Sequence, residues 1–471
     1  MSALRPAFFI LYLESYISRL NEILRHDLTL SVSEPDNAAA QIGAGTAFGV
    51  NGGQHTRAAE LSTYFCVLTI RKHLLKIRFE RSGRGHTFDA AAINGFDTMH
   101  VDELVLVPDL DTFTIFPWRP QRGRVARFIC DVRHTDGTPF MGDSRYILKQ
   151  VIEEAAKDGY TLNVGPESEF FLFDMSEDGQ PTTNTSEKGG FFDIGPVDAG
   201  ENARRDIVLS LSEMGFEMES SYHSNEVCQH HIDFKFDDGI QTADNIMTFK
   251  LTVRTVAKRH GLHATFMPKP NYGKKGSAMF FNMFLSKDGE NIFSDPDEEY
   301  GLSKTAYYFM GGIMRHIKGL TLINNPIINS YKRLVPGYNA PVNITWSRKN
   351  RTPLMRMTST GEMGPRVALR SPDGSCNPYL VLAGCLAAGL DGIRNKIEPP
   401  TCIDDLEGAQ EFDILPRTLI ESVQAFEKDE FFHQVYGEEL SRIIIQKKKQ
   451  EWDEFCEQVT AWEVEKYLDR I

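Results

Sequence analysis

The segment Gly165–Phe173 constrains the fold most, because it joins an apolar, strand-like run to two carboxylates. Phe170–Phe173 is apolar throughout and predicts a strand that follows a Gly-Pro turn. Glu167 and Glu169 are two residues apart, so on a strand their side chains lie on one face and reach one site. An exposed pair of charges on a strand is the alternative explanation.

The spacing of apolar residues predicts helices and further strands along the rest of the chain. Two of the strands precede Pro108 and Pro117, and we expect these prolines to end them. The predicted helices are Arg145–Asp158, Ala243–His260, Phe412–Asp429 and Gly437–Arg470, and the predicted strands are Leu104–Val107, Thr114–Phe116 and Ile232–Phe236.

The composition indicates a soluble globular protein of the cytoplasm. The 471 residues carry a formal net charge of -14, which argues against general nucleic-acid binding. The seven cysteines are scattered without a C-x-x-C pair, so we expect reduced thiols. The apolar stretch near the first residue is too short to span a bilayer, and no convincing signal-peptide cleavage site follows it.

Several ordered blocks resemble type I glutamine synthetases, in particular the Gram-positive branch. The resemblance runs from about residue 86 onward and implies an α+β fold. It implies a divergent segment over 1–60, a β-grasp-like domain over 61–140, and a catalytic-type domain with an antiparallel sheet and helices over 141–471. The blocks are Pro108–Pro120, Gly165–Phe171, Phe266–Pro270, Asn329–Tyr338, Asn350–Arg351, Arg370–Leu380 and Glu451–Tyr467.

Members of this family join glutamate and ammonia at the expense of ATP, through a γ-glutamyl phosphate. Two divalent cations, Mg²⁺ or Mn²⁺, hold the nucleotide phosphates, and five glutamates and one histidine bind the metals. The resemblance also implies two stacked rings of six subunits, with active sites between neighbours. It therefore implies a homo-oligomer, a dodecamer in the family's form.

The metal positions are only partly retained. The resemblance assigns Glu167 and Glu169 to two of the family glutamates, and His231 stands where another is expected. A histidine can bind a transition metal, but a hydrogen-bonded strand histidine is the alternative. Glu226 would be a shifted substitute only with a compensating insertion and deletion. Ligand positions are replaced at Ser224, Phe280 and Ala368.

The catalytic loops are altered as well. Asn339 follows Gly337–Tyr338 where the family has a flap glutamate that helps take a proton from ammonium, and an amide is no base. Asp89 matches the family aspartate that helps bind ammonium in the neighbouring subunit's site. Lys275 replaces an asparagine that helps hold glutamate, and Gly276 remains beside it.

Five cationic positions persist, where the resemblance implies contacts to carboxylate or phosphate. The planar fork of arginine suits such anions. We expect a more positive pocket that attracts an anion without metal, or else arginines that pair with Glu167, Glu169 or backbone carbonyls. The five residues, of which Arg351 is the catalytic candidate beside Asp89, are Arg333, Arg351, Arg356, Arg366 and Arg370.

These losses predict a pseudoenzyme that serves as a scaffold or regulatory subunit and co-assembles with an active homologue. The alternative is an active ATP-dependent γ-glutamyl ligase with a changed substrate or metal use, which would still need ATP and Mg²⁺ or Mn²⁺. A structural assembly protein with a closed pocket is the third hypothesis. The family's adenylylation segment has no counterpart near Glu398–Asp413.

Overall fold

The structure is a computed structural model that describes residues 65–69, 86–90, 103–119, 125–359, 363–406 and 411–470. The divergent segment predicted over 1–60 lies outside the described residues. Among the described helices, none is long and apolar enough to cross a membrane.

A four-stranded antiparallel sheet lies in the N-terminal part of the described chain, in the order β1-β4-β3-β2. Leu104 and Val132 face a small core with Phe140 on one side of this sheet. This sheet occupies the region predicted to be β-grasp-like. Its strands are β1 Phe65–Thr69, β2 His86–Asp89, β3 Glu103–Ile115 and β4 Val125–His134.

The prediction that Pro108 ends a strand is wrong, because β3 continues through it and Pro108 pairs with Cys130. The β2 pairing reaches only as far as Leu106, so beyond that residue β3 has no described partner on its β2 side. A proline there costs no ladder hydrogen bond, since its missing N–H faces an edge. The predicted strands Leu104–Val107 and Thr114–Phe116 are therefore parts of the single strand β3, which ends at Ile115, two residues before Pro117.

A larger sheet forms the centre of the rest of the chain, in the order β12-β13-β14-β10-β5-β7-β6. All pairs along this path are antiparallel except β12 with β13. Three short strands pair at its margins. The strands are β5 Thr161–Asp174, β6 Met218–His223, β7 Gln229–Phe234, β8 Asp237–Asp238, β9 Leu262–Thr265, β10 Met279–Lys287, β11 Glu290–Asn291, β12 Trp346–Ser347, β13 Met355–Thr358 and β14 Arg366–Leu369.

The predicted Gly-Pro turn before Phe170 is wrong, because β5 runs without a break through Gly165 and Pro166. Gly165 serves close packing instead of a turn. A Cβ at this position would lie 2.5 Å from the ring of Phe236, so a larger residue would require that ring to move.

Helices cover one face of the large sheet. They are α1 Ser144–Lys157, α2 Glu201–Glu213, α3 Gly239–Arg259, α4 Lys304–Asn324, α5 Ser330–Arg333, α6 Pro378–Asn395, α7 Leu419–Glu427, α8 Glu430–Tyr436, α9 Glu438–Cys456 and α10 Ala461–Tyr467. Short 3-10 turns lie at Glu299–Gly301 and Ile403–Asp405.

The helices predicted from Arg145 and from Ala243 are confirmed as α1 and α3. The predicted helix Phe412–Asp429 is too long, because the chain becomes helical only after Thr418, whose side chain accepts from the backbone N–H of Glu421. The predicted helix Gly437–Arg470 is two helices, since a capping box at Thr460 starts α10.

The main core lies between the large sheet and its helices. Phe170 of β5 contacts Phe249 of α3 and Phe266, with ring centroids 5.9 and 5.8 Å apart. Helices α4 and α6 approach closely at Gly312, where a Cβ would lie 2.0 Å from the carbonyl oxygen of Ala388. The opposite face of β5, with Glu167 and Glu169, is therefore left for a site.

An ionic network connects the four-stranded sheet to helices α1 and α3. We call this network of Arg145, Asp109, Asp131 and Asp244 the domain junction. The guanidinium of Arg145 on α1 lies 2.8 Å from Asp109, 2.7 Å from Asp131 and 2.9 Å from Asp244. Tyr379 also donates to Asp244, at 2.6 Å. Burial alone would lower the pKa of Arg145, but Asp244 and the other carboxylates raise it well above its usual value.

Candidate active site

The open face of the large sheet carries the candidate site, because alternate residues of neighbouring strands point to the same side. In the β5 pairings Glu167 lies opposite Phe280 and Asp233, and Glu169 lies opposite His231. The structure therefore places both predicted glutamates on one face, as their spacing indicated.

The surroundings of Glu167 are poor in metal-binding atoms. Glu167 Oε1 accepts a hydrogen bond from Asn282 Nδ2 at 2.9 Å. Phe280 is its cross-strand neighbour, and Ala368 lies opposite Asn282 on the other side of β10. Asp233, opposite Glu167 on β7, is the second carboxylate here, but its Oδ1 lies 2.7 Å from His231 Nε2. The amide, the phenyl ring and the methyl group fit Mg²⁺ poorly, because this ion takes six oxygen ligands including water.

The surroundings of Glu169 are polar but already occupied. Glu169 Oε2 accepts from the backbone N–H of Ala278 at 2.8 Å, and Oε1 accepts from Ser224 Oγ at 3.4 Å. His231 Nδ1 lies 4.0 Å from Oε1. These are hydrogen bonds within the protein, and a cation would have to displace some of them.

His231 lies among carboxylates and against an aromatic ring. Its Nε2 is 2.7 Å from Asp233 Oδ1, although the angle is not that of a hydrogen bond, and its ring stacks on Tyr222 with centroids 4.6 Å apart. Burial alone would lower its pKa, but Asp233, Glu169 and Glu167 together raise it. Asp233 and Tyr222 were missed in the sequence, where only the i, i+2 spacing of His231 and Asp233 pointed to a shared face.

Glu226 contacts the lysine-rich loop that precedes β10. Its Oε1 accepts from the backbone N–H of Lys275 at 3.0 Å, and its Oε2 is 4.0 Å from Lys274 Nζ. Gln229 Nε2 donates to the carbonyl of Gly276 at 3.1 Å. These contacts attach the turn between β6 and β7 to the lysine-rich loop.

Gly276 is required by close packing, since a Cβ there would lie 2.1 Å from the carbonyl oxygen of Pro268. The flap candidate Asn339 is exposed and has a φ of 60°, in the left-handed region that asparagine tolerates better than most residues. The neighbouring Tyr338 ring lies 3.5 Å from Lys269 Nζ, which is a cation–π contact.

Arg333 donates hydrogen bonds to the backbone after β14. Its guanidinium is buried and donates to the carbonyl oxygens of Arg370, Ser371 and Pro372 at 3.0 to 3.2 Å. The expectation that arginines pair with backbone carbonyls is therefore met at this position. Arg333 holds the segment after β14 in place.

Arg370 is the cation beneath Phe280, with its Cζ 4.6 Å from the ring centroid. It is 91% buried, and its Nη1 is buried without a hydrogen-bond partner. Burial, together with the charges of Arg333 and Arg356, lowers the pKa of Arg370 to about 10, against the opposing effect of Glu167. The Nε of Arg356, on β13 opposite Ala368, is also buried without a partner.

The remaining predicted residues lie at the margin of this face or away from it. Arg351 is exposed after β12, and its charge acts on Tyr222. Arg366 begins β14, with its Cζ 5.8 Å from the Phe236 ring. Asp89 is exposed at the end of β2, on the four-stranded sheet and not on the site face.

A second polar cluster has metal-like spacing but holds an arginine instead. Ligand atoms of Glu187, Asp198, His223 and His230 lie within 4.8 Å of one another in the described part of the chain. Arg204 Nη1 lies 2.6 Å from Asp198 Oδ2 and 2.8 Å from His230 Nδ1. The guanidinium supplies the positive charge there, so this cluster supports the β6–β7 turn.

Comparisons with known proteins agree with this architecture. The described chain is an α+β protein with a small antiparallel sheet and a larger, mostly antiparallel sheet that carries two glutamates on one strand. Family models match at residues 68–135, "Glutamine synthetase, beta-Grasp domain", and at residues 141–467, "Glutamine synthetase, catalytic domain". The chain belongs to the glutamine synthetase family.

Relatives cover most of the chain. A glutamine synthetase from Clostridium saccharobutylicum is 51% identical over 391 residues, which are 81% of this chain and 88% of that protein. One from Staphylococcus aureus strain MW2 is 47% identical over 393 residues, 81% of this chain and 87% of that protein. Both similarities support the Gram-positive-like resemblance.

Two solved structures are also similar. The GmaS complex with ADP has a TM-score of 0.75 at 32% identity, covering 84% of this chain and 92% of that one. A cryo-EM structure of Plasmodium falciparum glutamine synthetase has a TM-score of 0.74 at 26% identity, covering 81% and 89%.

Proposed function

We propose that this chain is a glutamine synthetase family member without metal-dependent ligase activity, serving as a scaffold or regulatory subunit. The observation that carries the proposal is the environment of Glu167. Phe280 is its neighbour in register, and Ala368 lies one strand further on, so carbon atoms stand at two predicted ligand positions. Phosphoryl transfer depends on cations that neutralise the phosphoryl oxygens, and the second carboxylate beside Glu167, that of Asp233, already lies 2.7 Å from His231 Nε2.

The altered flap supports the same proposal. Asn339 cannot take a proton from ammonium, and it is exposed instead of enclosed over the site. The large sheet, its covering helices and the domain junction are meanwhile present among the described residues. A protein that keeps its packing and loses its reacting groups is suited to assembly more than to turnover.

The direct test is ADP release by the purified full chain with ATP, glutamate and ammonium, in Mg²⁺ and in Mn²⁺. We expect release at least about a thousandfold below that of the Clostridium enzyme assayed in parallel, because a lost metal removes several kcal/mol of transition-state stabilisation. Stoichiometric, metal-dependent ADP release at a comparable rate would overturn the proposal.

The scaffold role requires assembly, as a homo-oligomer of stacked rings or together with an active glutamine synthetase. Trp462, Tyr467 and Leu468 on and after α10 are 60%, 45% and 72% exposed in the single chain, which favours a covering subunit. Light scattering on the pure protein tests the homo-oligomer. Co-expression with a differently tagged active homologue, followed by sequential purification, tests the mixed assembly.

A ligase with a changed amine substrate is the second candidate, and the ADP in the similar GmaS structure favours nucleotide binding by this fold. The loss of the flap glutamate would suit a nucleophile other than ammonium. It leaves Phe280 and Ala368 unexplained, since such a ligase still needs metal-bound ATP. A screen of amines for ATP turnover distinguishes the two candidates.

A further inference from the structure

His316 on α4 lies between two carboxylates that belong to different elements of the helical layer. Its Nδ1 is 3.1 Å from Asp429 Oδ2, and its Nε2 is 3.3 Å from Asp391 Oδ2. Asp391 is on α6, whereas Asp429 lies at the junction between α7 and α8. The two ring nitrogens of one imidazole therefore connect α4 both to α6 and to the α7–α8 junction.

Both contacts are hydrogen bonds only when the ring carries two protons. An ionised carboxylate can only accept, and a neutral imidazole has a single N–H, so it would turn a lone pair towards one of the two carboxylates. Burial alone would lower the pKa of His316, but Asp429 and Asp391 together raise it. The ring also stacks on Phe431 with centroids 4.2 Å apart, and an aromatic face attracts a cation. The geometry therefore favours the imidazolium.

The charged groups that face His316 are these two carboxylates, Asp391 from α6 and Asp429 from the α7–α8 junction. Other charged side chains on the surrounding helices have partners elsewhere, so they do not replace the imidazolium. These pairs are Lys318 of α4 with Asp413, Glu427 of α7 with Lys449, and His433 of α8 with Glu438.

The two carboxylates differ in what else they can bind. Asp429 directly precedes α8, at the position from which an aspartate commonly accepts from the backbone N–H groups of the first turn. It forms no such capping hydrogen bond, and its carboxylate contacts His316 instead. Gly319 of α4 allows this approach, since a Cβ there would lie 3.0 Å from Asp429 Oδ2. Asp391, by contrast, is also held by Asn395, whose Nδ2 donates to its Oδ1 at 2.7 Å.

We propose that His316 is a proton-controlled clamp that attaches the α7–α8 junction to α4 and α6. With two protons on the ring, His316 holds Asp429 and Asp391 together. When one proton leaves, the Asp429 carboxylate turns to the first turn of α8, and the junction loosens from α4. A group with a raised pKa contributes its stabilisation below its unfolded-state pKa of about 6.5 and loses it as the pH rises through the folded-state pKa. The clamp therefore opens on the alkaline side, and it does so whether or not the site face has ligase activity.

The test is hydrogen–deuterium exchange of the full chain at pH 6 and pH 9, with mass spectrometry of peptides from residues 426–436. After correction for the intrinsic pH dependence of exchange, we expect the protection of the α8 amides to fall about fivefold at pH 9, the effect of one lost hydrogen bond. Slow exchange at the imidazole carbon between the two nitrogens reports the pKa of His316 in the same protein. Equal protection at both pH values, or a His316 pKa at or below about 6.5, would overturn the inference.

Variants assign the effect to the clamp. His316→Gln has one donor group and does not titrate, so we expect the low protection of the wild type at pH 9 to appear at both pH values. Asp429→Asn keeps a side chain that can cap α8, and we expect protection without pH dependence and a His316 pKa nearer its usual value. His260→Gln is the matched control, because His260 contacts a single carboxylate, that of Asp206 at 2.9 Å, and the pH dependence at α8 should persist in it.

A pH dependence at α8 that survives in His316→Gln would overturn the inference, because another group would then be responsible. Protection lowered equally in His316→Gln and in the wild type at pH 9 supports it. Melting temperatures show whether a variant is folded, and the pKa of His316 in the wild type decides the matter if one is not.

Discussion

Two buried arginines show how differently the chain treats a cation in its fold and a cation in its site. Arg145 at the domain junction lies within 2.9 Å of three carboxylates. Arg370 on the site face is comparably buried but has other arginines near it and no carboxylate in ion-pair contact among the described residues. Their pKa values accordingly move in opposite directions, up for Arg145 and down for Arg370.

The different surroundings of Arg145 and Arg370 indicate which of the two buried charges contributes to the stability of the fold. A buried charge with full hydrogen bonding is expensive to break, because removing one partner leaves the others uncompensated. A buried charge without partners is itself a cost to the fold and persists where it serves a ligand or a former ligand. The domain junction belongs to the first kind and the site face to the second.

The largest effect should come from the domain junction. Replacing Arg145 by Met leaves Asp109, Asp131 and Asp244 together without their guanidinium, and we expect the free energy of unfolding to fall by about 3–5 kcal/mol. Urea unfolding followed by circular dichroism measures this change. A decrease in the free energy of unfolding of less than about 1 kcal/mol would mean that the domain junction contributes no more to stability than the buried arginine of the site face does.

The matched control is Arg394→Met. Arg394 also contacts two carboxylates, Glu154 and Asp158, at 3.0 and 2.9 Å, but it is half exposed. Exposed ion pairs contribute about 0–1 kcal/mol because water screens them. Arg394 has one carboxylate partner fewer than Arg145, so a difference of several kcal/mol between the two losses would reflect mainly burial.

The second effect concerns metal donors on the site face. The double variant Phe280→His and Ala368→Glu supplies an imidazole and a carboxylate beside Glu167. We expect Mn²⁺ at about a hundred times its dissociation constant to stabilise this variant by about 2.7 kcal/mol, because the metal binds only the folded state. Thermal unfolding with and without Mn²⁺ measures the difference.

The wild type and the variant Phe280→Leu with Ala368→Ser serve as references. Neither has the added imidazole and carboxylate, so Mn²⁺ should leave their melting temperatures nearly unchanged. An equal shift in the wild type would mean that the existing side chains hold the metal, and it would weaken the proposed loss of activity.

The sequence predicted the strands, and the face shared by Glu167 and Glu169, more reliably than it predicted side-chain contacts between strands. The i, i+2 spacing of Glu167 and Glu169 was sufficient, because strand geometry fixes it locally. The neighbours Asp233 and Tyr222 depend on the registers of β5, β6 and β7, which local sequence does not determine.

The errors have a similar origin. Pro108 was expected to end a strand, but its tolerance depends on where the neighbouring strand β2 stops. For Arg333 the resemblance implied contact with an anion, and pairing with backbone carbonyls was the alternative that the structure meets. Its three carbonyl acceptors come from residues 370–372, far along the chain, so only the folded structure reveals that it is a backbone support.

The third effect is a pH dependence in the Glu169 half of the site. The pKa of His231 is raised in the folded state. Its contribution to the free energy of unfolding is therefore fully present below the unfolded-state pKa of about 6.5, and it is lost as the pH rises through the folded-state pKa. We expect His231→Gln to cost about 1–2 kcal/mol at pH 6 and less at pH 9. Urea unfolding at both pH values measures this.

His263 gives a control of opposite sign. Burial and the charge of Arg254 lower the pKa of His263, so the stability linked to this residue is lost as pH falls. The free energy of unfolding of His263→Gln, relative to that of the wild type, should therefore be higher at low pH than at high pH. A His231→Gln variant with the same trend as His263→Gln would show that Asp233 and the glutamates do not hold the proton on His231.

The smallest effect should come from Arg370→Met, although this residue is about as buried as Arg145. Methionine keeps an unbranched apolar stem against Phe280 and removes a charge that Arg333 and Arg356 disfavour. It forfeits the attraction of Glu167 and Glu169, but the lowered pKa shows that the surroundings disfavour the charge on balance. We expect the free energy of unfolding to change by less than about 1 kcal/mol and in the stabilising direction, as when buried ions are replaced by apolar groups. Urea unfolding beside Arg145→Met makes the comparison, and a loss of several kcal/mol would mean that Arg370 serves the fold and awaits no ligand.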